Sequence, residues 1–410
     1  MLRHLIAIAT ATILFSNSLT LAKSKPPKPP EPDQFPPSPL EITTPDPLSP
    51  RSPKDKQPLT PQERQKLEPA LDALNQEAAA KLQAGEQIAA FEIWNRELRL
   101  RRFLGSLAEV QALSRVGAIA WKLNDGQEVQ YITERLQTIQ KQAQSQQKTA
   151  PIDLELWRSL GEAYKNVRSS KLAIEAYNQV LLLVRQQKDQ VAVLETLKTL
   201  GELHLSWFDY RKAAPIYEEL LSFATSLGDR VNEVTYLQQL AYIYEQTSQP
   251  QQSLNVLNKL AEIYLNENKL TEIPELKLAI ASDYESLAKK DPNLLLEAFN
   301  NYQEAYTTAW QLKEYVRAGD ALQKLIALYR SQGQTQEALQ ASEILVQIQA
   351  QAANFYGMMQ AYDQIGQLYL ERKEFPQALT AFQQGLKLAQ QLKHQEAYFT
   401  GQIAKLSKAN

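Results

Sequence analysis

The sequence predicts an all-α fold, a solenoid of about seven helical hairpins finished by a C-terminal capping helix. Three observations carry that reading. A pattern of large apolar, small and aromatic residues returns about every forty residues between Trp157 and Phe382. Only seven prolines follow Pro61, few enough to leave long helices intact. Alternating β-branched runs, the mark of half-buried strands, are missing.

Taken in order, the chain opens with Arg3 and an apolar run over residues 5–15, followed by small and polar residues. Thr20 and Ala22 stand at the spacing a signal peptidase reads, so residues 1–22 are expected to be a cleaved signal peptide. The run is shorter than the roughly 20 apolar residues of a spanning helix, and an uncleaved anchor is the other reading. Residues 23–60 are expected to be an extended, solvated linker, since residues 23–61 hold 14 of the 21 prolines. A spacer is the plain role for it, and a docking site for a proline-binding partner the sharper one. Thr60, Pro61 and Glu63 then spell a helix start with a capping box. Divergent hairpins are expected over residues 61–150, the first turning at Ala84-Gly85. Its second helix carries Arg96, Arg99, Arg101 and Arg102, which either pair with nearby acids or form a basic groove for an acidic partner. The regular array should span residues 151–394, and residues 395–410 the cap, with Ala397, Tyr398, Ile403, Ala404 and Leu406 as its apolar side.

The array is clearest in residues 154–180, LELWRSLGEAYKNVRSSKLAIEAYNQV. Gly161 and Ala173 fall where two helices would touch, so a larger side chain would force them apart. Trp157, Tyr164 and Tyr177 fill the space around that contact. One such hairpin cannot bury its own apolar face, so copies must stack on either side. Leu197, Leu200, Gly201, His204, Ala213 and Tyr217 repeat the pattern, as do Leu237, Leu240, Ala241, Tyr244, Ser253 and Leu257. The next copy opens with Ile280, Ala281 and Tyr284, and reaches Ala298 and Tyr302 after about five extra residues placed at 289–293. Leu325, Tyr329, Ala338 and Leu345 follow, then Ile365, Gly366, Tyr369, Ala378 and Phe382. Upstream, Leu113, Val116 and Gly117 open a weaker copy with Trp121 one place late.

This order of residues resembles the tetratricopeptide repeat (TPR) family, a helix–turn–helix unit of about 34 residues. The longer period here, and the missing proline near the end of most units, are similar to longer-helix variants that act as scaffolds. The resemblance implies a right-handed superhelix whose inner wall comes from the first helix of each hairpin. On that mapping the wall presents Glu155, Arg158, Glu162, Lys165 and Asn166, then Glu195, Lys198, Glu202 and Leu205, then Thr235, Gln238, Tyr242 and Glu245. One TPR class grips a C-terminal carboxylate with lysine, asparagine and arginine. Glu162 and Glu202 stand where that clamp uses asparagine, which rejects chaperone-tail binding. What remains is a ladder of carboxylates, Glu155, Glu162, Glu195 and Glu202, suited to a basic peptide or a hard divalent cation. A solvated surface with local pairs, such as Glu162 with Lys165 or Arg158, is the other reading.

No catalytic constellation is present. There are no cysteines, which excludes disulfides and thiolate chemistry, and only three histidines. His4 falls in the signal segment, His204 takes a place where neighbouring copies carry tyrosine, and His394 stands alone. HExxH, GxSxG and a Gly-rich phosphate loop are all missing. A net charge of −2 gives no reason to expect nucleic acid. The expected role is a non-enzymatic protein-binding scaffold without a resident cofactor, exported to the periplasm, with no membrane span after signal cleavage. The layout of signal peptide, proline-rich lead-in and long array resembles cyanobacterial periplasmic TPR proteins, photosystem II assembly factors among them. That resemblance implies binding of the precursor of the D1 reaction-centre protein and help in supplying manganese (Mn2+). A divalent-metal carrier and a structural envelope protein are the alternatives.

Overall fold

The computed structural model describes residues 38–41, 46–50, 59–146 and 153–409. The expected signal peptide and most of the expected linker lie outside the described residues. Among the described residues there are seventeen α-helices and no strand. None of these helices is long and apolar enough to cross a membrane. The chain divides into two compact units, residues 1–100 and 101–410.

The first unit is built on α1 (Pro61–Gln83) and α2 (Gln87–Arg101, all but its last residue). The capping box forms as expected: the Glu63 amide donates to Thr60 Oγ1 at 3.3 Å, and the Thr60 amide to Glu63 Oε2 at 2.7 Å. Gly85 makes the turn with φ +82°. Trp94 of α2 is buried and donates its indole N–H to Asn75 Oδ1 of α1 at 3.0 Å. The described pieces of the proline-rich segment depart from an extended, solvated linker. Pro39–Glu41 forms a 3-10 turn, Leu40 is 1% exposed, and Asp46 pairs with Arg96. Arg96 of α2 therefore finds an acid supplied from this segment, which local helix spacing could not reveal.

The second unit begins with α3 (Ser106–Lys122) and α4 (Gly126–Gln146), then α5 (Leu154–Asn166) and α6 (Ser170–Gln186). It continues through α7 (Gln190–Ser206), α8 (Tyr210–Leu227), α9 (Arg230–Gln246), α10 (Pro250–Asn266), α11 (Ile273–Ala288) and α12 (Leu295–Gln311). Then come α13 (Tyr315–Ser331), α14 (Thr335–Gln351), α15 (Phe355–Glu371), α16 (Phe375–Leu392) and α17 (Glu396–Ala409). From α5 onward each helix packs on the next in sequence, so the core runs along the array instead of gathering at a centre.

The period has a backbone cause. A left-handed residue ends a helix at Arg168, Lys188, Phe208, Gly228, Ser248 and Asn268, each twenty residues after the last. The series resumes at Lys313, Gly333, Ala353, Lys373 and Lys393. At these turns the chain reverses through a Schellman-type bond, as where the Ser169 amide donates to the Tyr164 carbonyl at 2.8 Å. Among the described connections from α5 onward, the one without a left-handed residue is α11 to α12, which uses a 3-10 turn at Pro292–Leu294. This is where the five extra residues were expected. Most of the left-handed positions are not glycine, so each carries a steric cost. Ala353→Gly, at the place that Gly333 fills one turn earlier, is expected to stabilise the chain by about 0.5–1 kcal/mol, read from urea unfolding.

In three hairpins the small-residue contact is made by a glycine, and its partner is an aromatic ring sixteen positions on. A Cβ on Gly161 would meet Tyr177 Cε2 at 2.8 Å, one on Gly201 would meet Tyr217 Cε2 at 3.0 Å, and one on Gly366 would meet Phe382 Cε1 at 2.6 Å. Trp157, Tyr164, Ala173, Tyr177, Ala213, Tyr217, Tyr244, Ala338, Ala378 and Phe382 are all buried. Tyr284, Tyr329 and Tyr369 are half-buried and pack against the core from its edge. Two expectations need correcting. Trp121 is 47% exposed, because Ala120 takes the core place three residues after Gly117. In α17 the buried anchor is Phe399, which lies against Gly385, while Ala397 and Tyr398 are exposed.

His204 is a packing residue, buried with Nδ1 3.5 Å from Asp209 Oδ2. Burial holds its pKa below the ordinary histidine range, and the attraction of Asp209 does not offset it. The unfolded chain therefore takes up this proton at a higher pH than the folded chain. The stability so gained is complete above the ordinary histidine pKa and is lost as pH falls below it. His204→Gln should flatten the fall in urea midpoint between about pH 7.5 and about pH 5.5.

Candidate functional site

Two depressions lie in the second unit along the face that the first helices contribute. The smaller has a volume of about 320 Å³ and is lined by Arg158, Ser159 and Glu162 of α5, Tyr177 and Val180 of α6, and Glu195, Thr196 and Thr199 of α7. Arg158, Glu162 and Glu195 are thus brought together. Glu162 is committed locally: its Oε2 accepts from Lys165 Nζ at 2.9 Å and from the Tyr177 hydroxyl at 3.1 Å. Burial, with Glu162 adding to it, pushes the Tyr177 phenol above its usual pKa, so the hydroxyl stays a donor. Tyr302 and Glu285 repeat the pair at 3.0 Å. Glu162 is therefore an acceptor within its own hairpin, one of the local pairings the sequence allowed.

The other predicted wall residues distribute unevenly. Asn166 donates to Ser114 Oγ of α3 at 2.9 Å, so it joins two hairpins. Glu155, Lys165, Lys198 and Glu202 line neither depression. Glu202 lies close enough to help burial push the Tyr217 phenol up to about 12. Of the four carboxylates in the expected ladder, Glu162 and Glu195 line the smaller depression, and Glu155 and Glu202 line neither.

Gln238, Tyr242 and Glu245 meet instead in a pocket of about 340 Å³ between α9, α10 and α11. Gln238, Ala241, Tyr242 and Glu245 follow helical spacing on one face of α9. Ser253, Leu257, Leu260 and Tyr264 do so on α10, and Glu275, Leu276, Ala279, Ser282 and Asp283 on α11, with Glu272 just before it. Leucines give the pocket an apolar lining, and Gln238 donates to the Tyr264 hydroxyl at 2.9 Å. Tyr242 extends the rim toward Tyr210, their hydroxyls 3.0 Å apart.

Four carboxylates face this space, Glu245, Glu272, Glu275 and Asp283, and no lysine, arginine or histidine lines it. At its edge Arg317 approaches Glu275 at 3.6 Å, with both side chains solvent-exposed. Asp283 is the inner group. Its Oδ2 is buried without a hydrogen-bond partner. Burial raises its pKa, a hydrogen bond from Ser253 opposes the rise, and the charge of Glu245 adds to it. A cation entering here would meet a carboxylate one of whose oxygens, Oδ2, has no hydrogen-bond partner.

The sequence mapping stopped one helix short of this pocket. Moved forty residues on, Thr235 and Tyr242 fall on Glu275 and Ser282, both of which line it. Asp283 takes the register of Ile243, a core position, so its acid gave no wall signal. Among the described residues no three His, Asp or Glu side chains converge as a metal-binding group. The manganese role implied by the resemblance finds no ligand set here.

No family model and no curated protein sequence matches this chain. Among solved structures it is similar to BtubC from P. vanneervenii, 18% identical over 55% of this chain and 90% of that one, with a TM-score of 0.38. MamA is 21% identical over 47% of this chain and 96% of that one, with a TM-score of 0.34. The apo quorum sensor NprR from B. thuringiensis is 18% identical over 73% and 80%, with a TM-score of 0.35. At these scores the overlaps carry no argument, and the TPR-like architecture rests on the hairpin packing and the repeated turns.

Proposed function

We propose that this chain is a non-enzymatic protein-binding scaffold, and that the α9–α11 pocket receives a lysine or arginine side chain of an extended partner segment. The observation that carries the reading is the pocket itself: four carboxylates around an apolar lining, with no cation among the lining residues. An alkyl stem suits the leucines, and a charged tip suits Asp283 and Glu245. The amino-terminal pattern of residues 1–22 supports an exported, periplasmic setting. Within that setting the layout supports a role in assembling a membrane complex, with a photosystem II reaction-centre precursor as the candidate partner.

The test is calorimetric titration of the full chain with a decapeptide rich in arginine, against an acidic decapeptide of equal length. Binding of the basic peptide alone is expected, and equal binding of both would defeat the reading. The pH dependence has a definite sign. A bound cation favours ionised Asp283, whose pKa is raised in the empty pocket. Affinity should therefore fall as pH drops through a range above the ordinary carboxylate value of about 4. Asp283→Asn should remove that part of the pH dependence.

A further inference from the structure

We infer that α2 carries a docking site for an acidic, leucine-bearing peptide, and that the chain's own residues 38–41 and 46–50 are its resident ligand. Three contacts on the described pieces of that segment support it. Arg96 Nε donates to Asp46 Oδ2 at 2.7 Å and Arg96 Nη2 to Asp46 Oδ1 at 3.0 Å, a two-pronged match of guanidinium to carboxylate. One helical turn on, Arg99 Nη1 donates to the Pro39 carbonyl at 2.6 Å. Between these anchors in sequence stands Leu40, 1% exposed. A partly exposed ion pair fifty residues apart in sequence would not by itself hold the segment. A buried leucine flanked by two arginine contacts does.

The docked pieces also close their own turns. The Glu41 amide donates to the Ser38 carbonyl at 2.8 Å, and the Ser49 amide to the Asp46 carbonyl at 2.9 Å. The Leu48 amide donates to Asp46 Oδ1 at 2.9 Å, so the acid that meets Arg96 also closes its own turn. Pro39, Pro47 and Pro50 restrict the chain around these turns and lower the entropy lost on docking. Tethering supplies the rest, since a linked ligand acts at an effective concentration of order millimolar. The arginines are therefore occupied in cis. An outside segment of the same chemistry, a leucine six residues before an aspartate, competes for them.

The experiment uses the full chain and a fluorescent peptide of residues 38–50, read by anisotropy. Three proteins are compared: the parent, a released variant Leu40→Asp with Asp46→Lys, and that variant with Arg96→Glu added. The released variant should bind the peptide at least tenfold more tightly than the parent, and Arg96→Glu should return binding to the parent level or below. Equal binding by parent and released variant overturns the inference, as does failure of the released variant to bind while its helicity is unchanged. If the released variant loses helicity, Asp46→Asn, which preserves volume, takes its place under the same criteria.

Discussion

Trp157→Ala is expected to lower the unfolding free energy by about 3–5 kcal/mol, the largest loss of any single truncation in the array. Trp157 is 1% exposed and stands one helical turn before Gly161, where the Tyr177 ring presses on the backbone of α5. Alanine leaves a cavity that cannot close, because the ring-to-glycine contact fixes the distance between α5 and α6. In a solenoid each hairpin is held by its neighbours, so the loss should spread to the stacking of α3 and α7 on either side. The control is Trp121→Ala. With the ring 47% exposed, it should cost no more than about 0.5 kcal/mol. Urea unfolding of the two variants measures both, and comparable losses would return Trp121 to the core.

The second large effect concerns binding. Glu245→Lys with Glu272→Lys replaces two of the four pocket carboxylates by cations at exposed positions, where folding should survive. Affinity for the arginine-rich peptide should fall at least about tenfold, since like charges now face the incoming side chain. Glu155→Lys with Glu202→Lys makes the same change in net charge outside both depressions and should leave affinity within about threefold at 0.15 M salt. Calorimetry on the two pairs separates a pocket from a diffuse acidic surface. Equal losses would favour the surface.

The array was legible because its physics is periodic. A glycine at 161, 201 and 366 with an aromatic ring sixteen residues later writes the hairpin contact directly into the sequence. The insertion near residue 290 showed as a break in that spacing, and the 3-10 turn at Pro292–Leu294 is its cause. Trp121 misled because a tryptophan one place out of register still looks like core, while the small Ala120 that fills the place looks like nothing. The wall was legible only in part. Helical spacing placed Gln238, Tyr242 and Glu245 on one face of α9. Whether acids on successive hairpins meet depends on what the second helices put between them, and Tyr177 ties Glu162 into its own hairpin. The pairing of Asp46 with Arg96 of α2 joins residues about fifty apart, with no periodicity to announce it.

The most direct measurement of the central claim is where a basic peptide sits. An arginine-rich peptide carrying a photoreactive group is bound to the full chain and crosslinked, and the modified residues are mapped by mass spectrometry. The account predicts attachment on α9, α10 and α11, around Tyr242, Tyr264 and Leu276. Attachment concentrated on α12–α16, or spread evenly over the acidic surface, would contradict it.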